Sequence, residues 1–176
     1  MESISSNQID HLLTEIGKHV TTPASLVLLG GSALCLLGSE RPTFDIDYVG
    51  HDLHKSELQR VIEQVAEALR IPIEAVPIDE FVPIPPGADN RRIRIGQFAN
   101  IVVHVLDPYT IALSKLDRGF ESDIEDILFL IVHNHITVEE LEQIVNDALA
   151  RAGEFDMNPQ NIQAHLQTVV SLLKNG

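Results

Sequence analysis

The 176-residue chain has one cysteine, Cys35, no tryptophan and only 5% aromatic residues. A single cysteine excludes an intramolecular disulfide and a cysteine-rich zinc module. Because aromatic residues are scarce, a core must be built mainly from Ile, Leu, Val and Ala. Hydrophobic residues make up 44% of the chain, which is ordinary for a globular protein with a core.

Long apolar runs and positive charge are also scarce. No apolar stretch approaches the roughly 20 residues of a membrane-spanning helix, and the polar segment Met1–Asp10 has no signal-peptide core. We therefore expect a cytoplasmic protein with no membrane partner. Twelve Lys and Arg against 26 Asp and Glu give a net charge of −14. This charge argues against binding along extended DNA or to anionic membranes, because phosphate-rich partners require a positive surface.

Helix and strand patterns alternate in the first part of the chain, and the last part is helical. The periodicity of apolar residues, together with capping and proline signals, predicts these elements. In chain order they are a helix over 7–20, a strand over 25–29, a helix over 32–37, a strand over 43–49, a helix over 53–69, short strand pieces within 71–90, a hairpin of strands over 91–98 and 101–106, and helices over 108–118, 123–133, 138–151 and from 159 onward.

A glycine turn follows the first predicted strand, in the sequence Leu-Leu-Gly-Gly-Ser-Ala-Leu over residues 28–34. Gly30 and Gly31 let backbone amides approach a phosphate closely, and the start of the following helix favours negative charge. Ser32 adds a hydroxyl donor. The alternative interpretation is an ordinary tight turn.

Two aspartates follow on the next predicted strand. Asp45 and Asp47 are two residues apart, so both carboxylates lie on one face. Adjacent carboxylates repel each other unless a cation or proton separates them, and Mg²⁺ (or Mn²⁺) is the natural partner for such oxygen ligands. The ion would in turn bind nucleotide phosphates. The alternative is the solvated face of an edge strand, although acidic residues are depleted in strands.

This Gly-Gly-Ser turn, followed by Arg-x-Thr-x-Asp-x-Asp over residues 41–47, resembles the nucleotidyltransferase superfamily with the DNA polymerase β-type fold. The resemblance covers roughly residues 25–135, and the likeness is greatest to small bacterial nucleotidyltransferase-like proteins, including AbiE-type toxins. It implies an α/β (α+β) fold in which a mixed sheet is flanked by helices and followed by a helical C-terminal region. It also implies transfer of a nucleoside monophosphate from an NTP to an acceptor with two divalent metal ions.

The resemblance assigns roles to residues of the turn and the strand. By this assignment, one group of residues holds the nucleotide and two catalytic aspartates bind the metal. The nucleotide-binding residues are Gly30, Gly31, Ser32, Arg41 and Thr43, and the metal ligands are Asp45 and Asp47. The alternative interpretation of Arg41 is a charged loop residue. The alternative interpretation of Thr43 is a residue that favours the strand conformation.

AbiE-like relatives also carry a lysine on a helix after the sheet, and then Asp-x-x-Asp. In this chain the matching residues are Lys115, Asp123 and Asp126. The resemblance implies that Lys115 is catalytic and contacts nucleotide phosphates, that Arg118 adds a phosphate contact, and that Asp123 or Asp126 supports the site. A solvated helix surface is the alternative interpretation of Lys115.

One feature departs from the family pattern. Many active members supply a third metal-binding carboxylate from a later strand, but the strand predicted over 101–106 contains no acid and only His104. We therefore expect the third carboxylate to be missing, and His104 to substitute as a base or weak ligand because imidazole titrates near neutral pH. Asp107, at the end of this strand, is better explained as a helix cap.

We predict a nucleotidyltransferase-like domain over 1–135 and a helical extension over 136–176 packed on it. The leading function is metal-dependent nucleotide transfer to a protein, an RNA end or a small molecule, in a toxin–antitoxin context with a cognate antitoxin-like protein. One alternative is a catalytically inactive module that binds a nucleotide or a partner. The other is a small-molecule transferase resembling those that modify aminoglycosides. The net negative charge favours an acceptor that is a small molecule, a protein or a locally docked group, and it disfavours a long nucleic acid.

Overall fold

The computed structural model of the chain describes residues 1–51, 53 and 55–176. The predicted helix over 53–69 therefore includes one residue, His54, that lies outside the described residues. The helices are α1 (Ser6–His19), α2 (Gly30–Leu36), α3 (Glu57–Leu69), α4 (Ile78–Phe81), α5 (Pro108–Arg118), α6 (Glu121–Val132), α7 (Val138–Leu149) and α8 (Pro159–Asn175). The strands are β1 (Ala24–Leu29), β2 (Ile46–Val49), β3 (Ile73–Val76), β4 (Ile93–Phe98) and β5 (Ile101–Val105).

The five strands form one mixed sheet in the order β3-β2-β1-β5-β4. β1 pairs antiparallel with β2 and parallel with β5, while β2 and β3 are parallel. A parallel pair needs a crossover connection, and α3 supplies it between β2 and β3. The mixed sheet flanked by helices confirms the predicted α+β class.

The chain divides into two compact units. Unit 1 comprises Met1–Pro77 and Arg92–Leu106 and contains the whole sheet with α1, α2 and α3. Unit 2 comprises Ile78–Arg91 and Asp107–Gly176 and contains α4 to α8. The predicted division at residue 135 falls within unit 2.

The core of unit 1 is aliphatic, as its composition predicts. α1 begins at a Ser5–Gln8 capping box and buries the apolar stripe predicted for it. The alternating residues of β2 place Ile46 and Tyr48 in the core and leave Asp47 less buried on the opposite face. This alternation gives the sheet one apolar face and one face that carries an acidic side chain.

Several predicted elements differ from the structure. α3 begins at Glu57 rather than at residue 53, and α6 begins at Glu121 rather than at residue 123. The segment 71–90, predicted as strand pieces, contains one strand, β3, followed by the helix α4 and a 3₁₀ helix.

α2 begins at Gly30, two residues before the predicted start at residue 32. β2 begins at Ile46 because the Thr43 hydroxyl donates to the Asp45 carbonyl and closes residues 43–45 into a bend. β4 begins at Ile93 because Arg91 belongs to a short 3₁₀ helix, Ala88–Arg91.

Among the described residues, no helix combines the length and the apolar character that crossing a bilayer would require.

Candidate functional site

A glycine turn joins β1 to α2 and lies against the carboxylate of Asp47. Gly30 has a φ of +74°, in the left-handed region where residues with a Cβ are strained. A Cβ on Gly30 would lie 2.2 Å from Oδ2 of Asp47. The positive φ therefore favours glycine, and a side chain at this position would also displace the carboxylate of Asp47.

Arg41 and Thr43 lie over the second glycine of the same turn. A Cβ on Gly31 would lie 3.1 Å from Oγ1 of Thr43 and 3.3 Å from a guanidinium nitrogen of Arg41. Thr43 is buried and donates its hydroxyl to the carbonyl of Asp45 at 3.1 Å. Thr43 thus connects the glycine turn to the backbone of Asp45. Nucleotide binding by Arg41 and Thr43 stays a prediction.

Ser32 is fully buried in the first turn of α2. Its hydroxyl donates to the carbonyl of Leu29 at 3.4 Å, a long hydrogen bond that helps to close the junction between β1 and α2. Phosphate binding by Ser32 stays a prediction.

Three carboxylates, Asp45, Asp47 and Glu74, form what we call the acidic cluster. One carboxylate oxygen of each lies within 4.8 Å of the other two. Asp47 on β2 is directly beside Glu74 on β3 in parallel register, so the two side chains project from the same face of the sheet. Asp45, one residue before β2, brings the third carboxylate from the bend that Thr43 closes.

The acidic cluster has the ligand chemistry of a divalent cation site. Three carboxylates this close repel one another unless a cation or protons separate them. A ligand set made only of oxygens suits hard ions such as Mg²⁺ and Mn²⁺, and the exposure of Asp45 and Glu74 leaves the site open to a substrate. A bound ion would supply Lewis-acid polarisation of a phosphoryl oxygen.

A third carboxylate does lie beside Asp45 and Asp47, although the strand predicted over 101–106 carries none. It is Glu74 of β3, the strand that pairs with β2, and metal binding by Glu74 stays a proposal. The signal that could have found Glu74 is the order strand, helix, strand over β2, α3 and β3. A strand that returns through a crossover helix commonly pairs in parallel with the strand before it.

His104 lies on β5, where it pairs with Val27 of β1. Asp47 pairs with Leu29 of β1, so His104 and Asp47 share a face of the sheet. Since β1 lies between their strands, strand spacing alone separates them by roughly 10 Å. Nδ1 of His104 is buried and has no hydrogen-bond partner among the residues that the structure describes. A role for His104 as a base or ligand stays a prediction.

Unit 2 contains the predicted residues of α5 and α6 in one ion-pair cluster, in which Lys115, Asp123 and Asp126 are buried and Arg118 is partly exposed. Nζ of Lys115 is 2.7 Å from Asp126 and 3.6 Å from Asp123. Arg118 donates two hydrogen bonds to Asp123, at 2.6 and 2.8 Å. Lys115 is only 6% exposed, so the alternative of a solvated lysine is wrong. Phosphate contacts by Lys115 and Arg118 stay predictions.

The pKa of Asp123 reflects this pairing. Burial acts to raise the pKa, but the hydrogen bonds from Arg118 and the charge of Lys115 together hold the pKa of Asp123 below its usual value. The amide of Phe120 adds a hydrogen bond at 3.0 Å. Asp123 therefore ties the start of α6 to the end of α5, whatever further support it gives to the site.

Asp107 acts as a helix cap, as predicted. It accepts a hydrogen bond from the amide of Tyr109 at the start of α5 and another from the hydroxyl of Thr110. Arg91 donates to both of its carboxylate oxygens, at 2.9 and 2.8 Å, and the hydrogen bond with Asp107 raises the pKa of Arg91. These contacts give Asp107 a structural role.

The mixed five-stranded sheet flanked by helices is consistent with a nucleotidyltransferase fold. A family model described as "Nucleotidyltransferase of unknown function (DUF6036)" matches residues 7–168. Since this match covers most of the chain, the protein belongs to that family. Neither a curated protein nor a solved structure matches the chain. The family confirms the predicted superfamily, and the AbiE-type likeness stays a prediction.

Proposed function

We propose that this protein is a divalent-metal-dependent nucleotidyltransferase that moves a nucleoside monophosphate from an NTP to an acceptor. Membership of the family supports the reaction class. The observation that carries the proposal is the acidic cluster, in which Glu74 adds a third carboxylate to Asp45 and Asp47. A module that only binds a partner has no need for three carboxylates converging beside a glycine turn.

The residues of the chain act by positioning and by balancing charge, as is usual in phosphoryl-transfer sites. Asp45, Asp47 and Glu74 would hold Mg²⁺ or Mn²⁺, and the glycine turn leaves room for the carboxylate of Asp47. In the reaction, an acceptor oxygen forms a bond to the α-phosphorus and the bond to pyrophosphate breaks. The acceptor proton passes to a base, for which His104 is the predicted candidate.

Label transfer tests the proposal. Each of the four α-³²P-labelled NTPs is incubated with the protein, Mg²⁺ or Mn²⁺, and protein, RNA and aminocyclitol acceptors. We expect label to enter one acceptor class, and Asp45→Asn to reduce the rate at least 100-fold. The matched control is Glu67→Gln, an exposed carboxylate of α3 outside the acidic cluster, which should keep the wild-type rate. A rate unchanged by Asp45→Asn would contradict the proposal.

The alternative functions give different results in the same experiment. An inactive nucleotide- or partner-binding module would bind its ligand without transfer. A small-molecule transferase would label the cationic aminocyclitol, an acceptor class that the net charge of −14 suits. The toxin–antitoxin context and a cytoplasmic location stay predictions, and an adjacent gene for a small partner protein would support the former.

A further inference from the structure

β3 is the outermost strand on one side of the sheet. On its inner side, Ile46 donates its amide to the carbonyl of Pro72 at 2.9 Å, and Gly50 donates to the carbonyl of Val76 at 3.1 Å. Backbone groups alternate in direction along a strand, so the amides and carbonyls of Ile73 and Ala75 point away from β2. Within the described part of the chain, no hydrogen bond outside the ladder involves these groups.

This unpaired edge runs beside the acidic cluster. Glu74 lies between Ile73 and Ala75 and is exposed, and its neighbour on β2 is Asp47. A further strand would lie about 4.8 Å beyond β3 and would place alternate side chains on the face that carries Glu74. A hydroxyl on such a side chain would be next to the acidic cluster.

Charge determines which macromolecule suits this edge. The chain has a net charge of −14, Glu74 is exposed on the edge strand, and Asp45 is exposed beside it in the acidic cluster. A nucleic acid would bring further negative charge, whereas a neutral or basic peptide is complementary to this surface. An extended peptide also supplies the backbone donors and acceptors that the outer side of β3 lacks.

We propose that the acceptor is a protein, and that an extended segment of it pairs with the outer edge of β3 and presents a Ser, Thr or Tyr hydroxyl to the acidic cluster. This rests on the proposed function. The hydroxyl oxygen forms a bond to the α-phosphorus of the NTP, the bond from that phosphorus to pyrophosphate breaks, and the hydroxyl proton passes to a base, as in the proposed function. The product is a nucleotidylated side chain.

A peptide library tests this substrate class. The full-length protein is incubated with Mg²⁺, α-³²P-labelled NTPs and bead-displayed nine-residue peptides that have Ser, Thr or Tyr at the centre and randomised flanks. The test variant is Ala75→Pro, because proline removes the outward N–H of Ala75 and leaves the β2–β3 ladder intact. Ala75→Thr keeps the N–H and is the matched control.

We expect wild type and Ala75→Thr to label a subset of beads and Ala75→Pro to label them at least tenfold less. A labelled bead sequence, resynthesised with a fluorophore, should also bind metal-free wild type at least tenfold more tightly than metal-free Ala75→Pro. Mg²⁺-dependent NTP binding should be the same in all three proteins, which shows that the proline variant is folded.

Equal labelling by Ala75→Pro and wild type would overturn the β3-edge proposal. The proposal would also be overturned if no bead is labelled, or if label enters only an RNA added beside the beads, while wild type still binds NTP with Mg²⁺. If wild type shows no Mg²⁺-dependent NTP binding, that result would contradict the proposed function and not the β3-edge proposal alone.

Discussion

Gly30 and Asp47 share a space at the junction of β1 and α2 that holds only one side chain. Because a Cβ on Gly30 would approach Oδ2 of Asp47 to 2.2 Å, the geometry of the acidic cluster depends on a residue that contributes no ligand. The glycine turn and the Asp-x-Asp pair are therefore coupled through this one contact.

Replacing Gly30 by alanine separates this contact from ordinary backbone strain. We expect Gly30→Ala to displace the Asp47 carboxylate and to weaken Mn²⁺ binding at least tenfold, measured by electron paramagnetic resonance. Gly38→Ala is the matched control, since Gly38 also has a positive φ, +103°, but no atom of the described residues that could clash lies within 4 Å of its Cβ position. Each variant should lose about 1–2 kcal/mol of unfolding free energy. Equal Mn²⁺ affinity in both variants would count against the contact.

Glu74 is the third carboxylate of the acidic cluster, beside Asp45 and Asp47. We expect Glu74→Gln to lower Mn²⁺ affinity at least tenfold, because it removes one of three negative charges from the ligand set and keeps the side-chain volume. Titration of Mn²⁺ into wild type, Glu74→Gln and the control Glu67→Gln measures this. If Glu74→Gln binds Mn²⁺ like the control, the third carboxylate is not a ligand.

Among the elements, the α5–α6 pair depends on buried charge. Asp123 and Asp126 sit at 0% and 2% exposure and are paired with Lys115 and Arg118. Such pairs impose specific partners, and leaving one member unpaired costs about 3–5 kcal/mol. The contact between the two helices is therefore sensitive to any change that neutralises Lys115, Asp123 or Asp126, the three buried members.

The depressed pKa of Asp123 gives this pair of helices a defined pH dependence. Unpaired aspartate titrates near pH 3.9 in an unfolded chain, and pairing lowers the pKa of Asp123 in the fold. Its stabilisation is therefore present above about pH 4 and is lost as pH falls through the lowered value. In Arg118→Gln, burial still raises the pKa of Asp123 but the hydrogen bonds from Arg118 that lower it are lost. The ionised form of Asp123 is then less stabilised, so acid unfolding should begin at a higher pH than in wild type.

Urea unfolding between pH 7 and pH 3 measures this shift. The matched control is Arg60→Gln, an exposed arginine on α3, which should follow the wild-type profile. An Arg118→Gln profile that coincides with wild type at every pH would show that Arg118 does not support the ionised form of Asp123.

Elements specified by neighbouring residues could be predicted from the sequence. The apolar stripe of α1 and the Asp107-Pro108 start of α5 are local patterns, and the structure confirms both. The closeness of Asp45 and Asp47 could be predicted for the same reason, because they are two residues apart in the sequence. The position of Glu74 could not be predicted in this way, because Glu74 comes to lie beside Asp47 only when α3 returns the chain to the sheet. The burial of Lys115 likewise depends on α6, which follows it.

For the whole molecule, the acidity is unevenly divided between the two units. Unit 1 has seven Lys and Arg against eleven Asp and Glu, a net charge of −4, and unit 2 has five against fifteen, a net charge of −10. The acidic cluster thus lies in the less acidic unit. A bound divalent ion would offset two of its charges, which reconciles an acidic chain with a substrate that carries phosphates.

The central claim is that the acidic cluster holds the ion through which a nucleotide binds. Calorimetric titration of a non-hydrolysable NTP into wild type, Asp45→Asn and Glu67→Gln, each with and without Mg²⁺, tests it most directly. We predict that Mg²⁺ strengthens binding at least tenfold for wild type and Glu67→Gln, and not for Asp45→Asn. The same Mg²⁺ dependence in Asp45→Asn as in wild type, or none in any of the three, would contradict the claim.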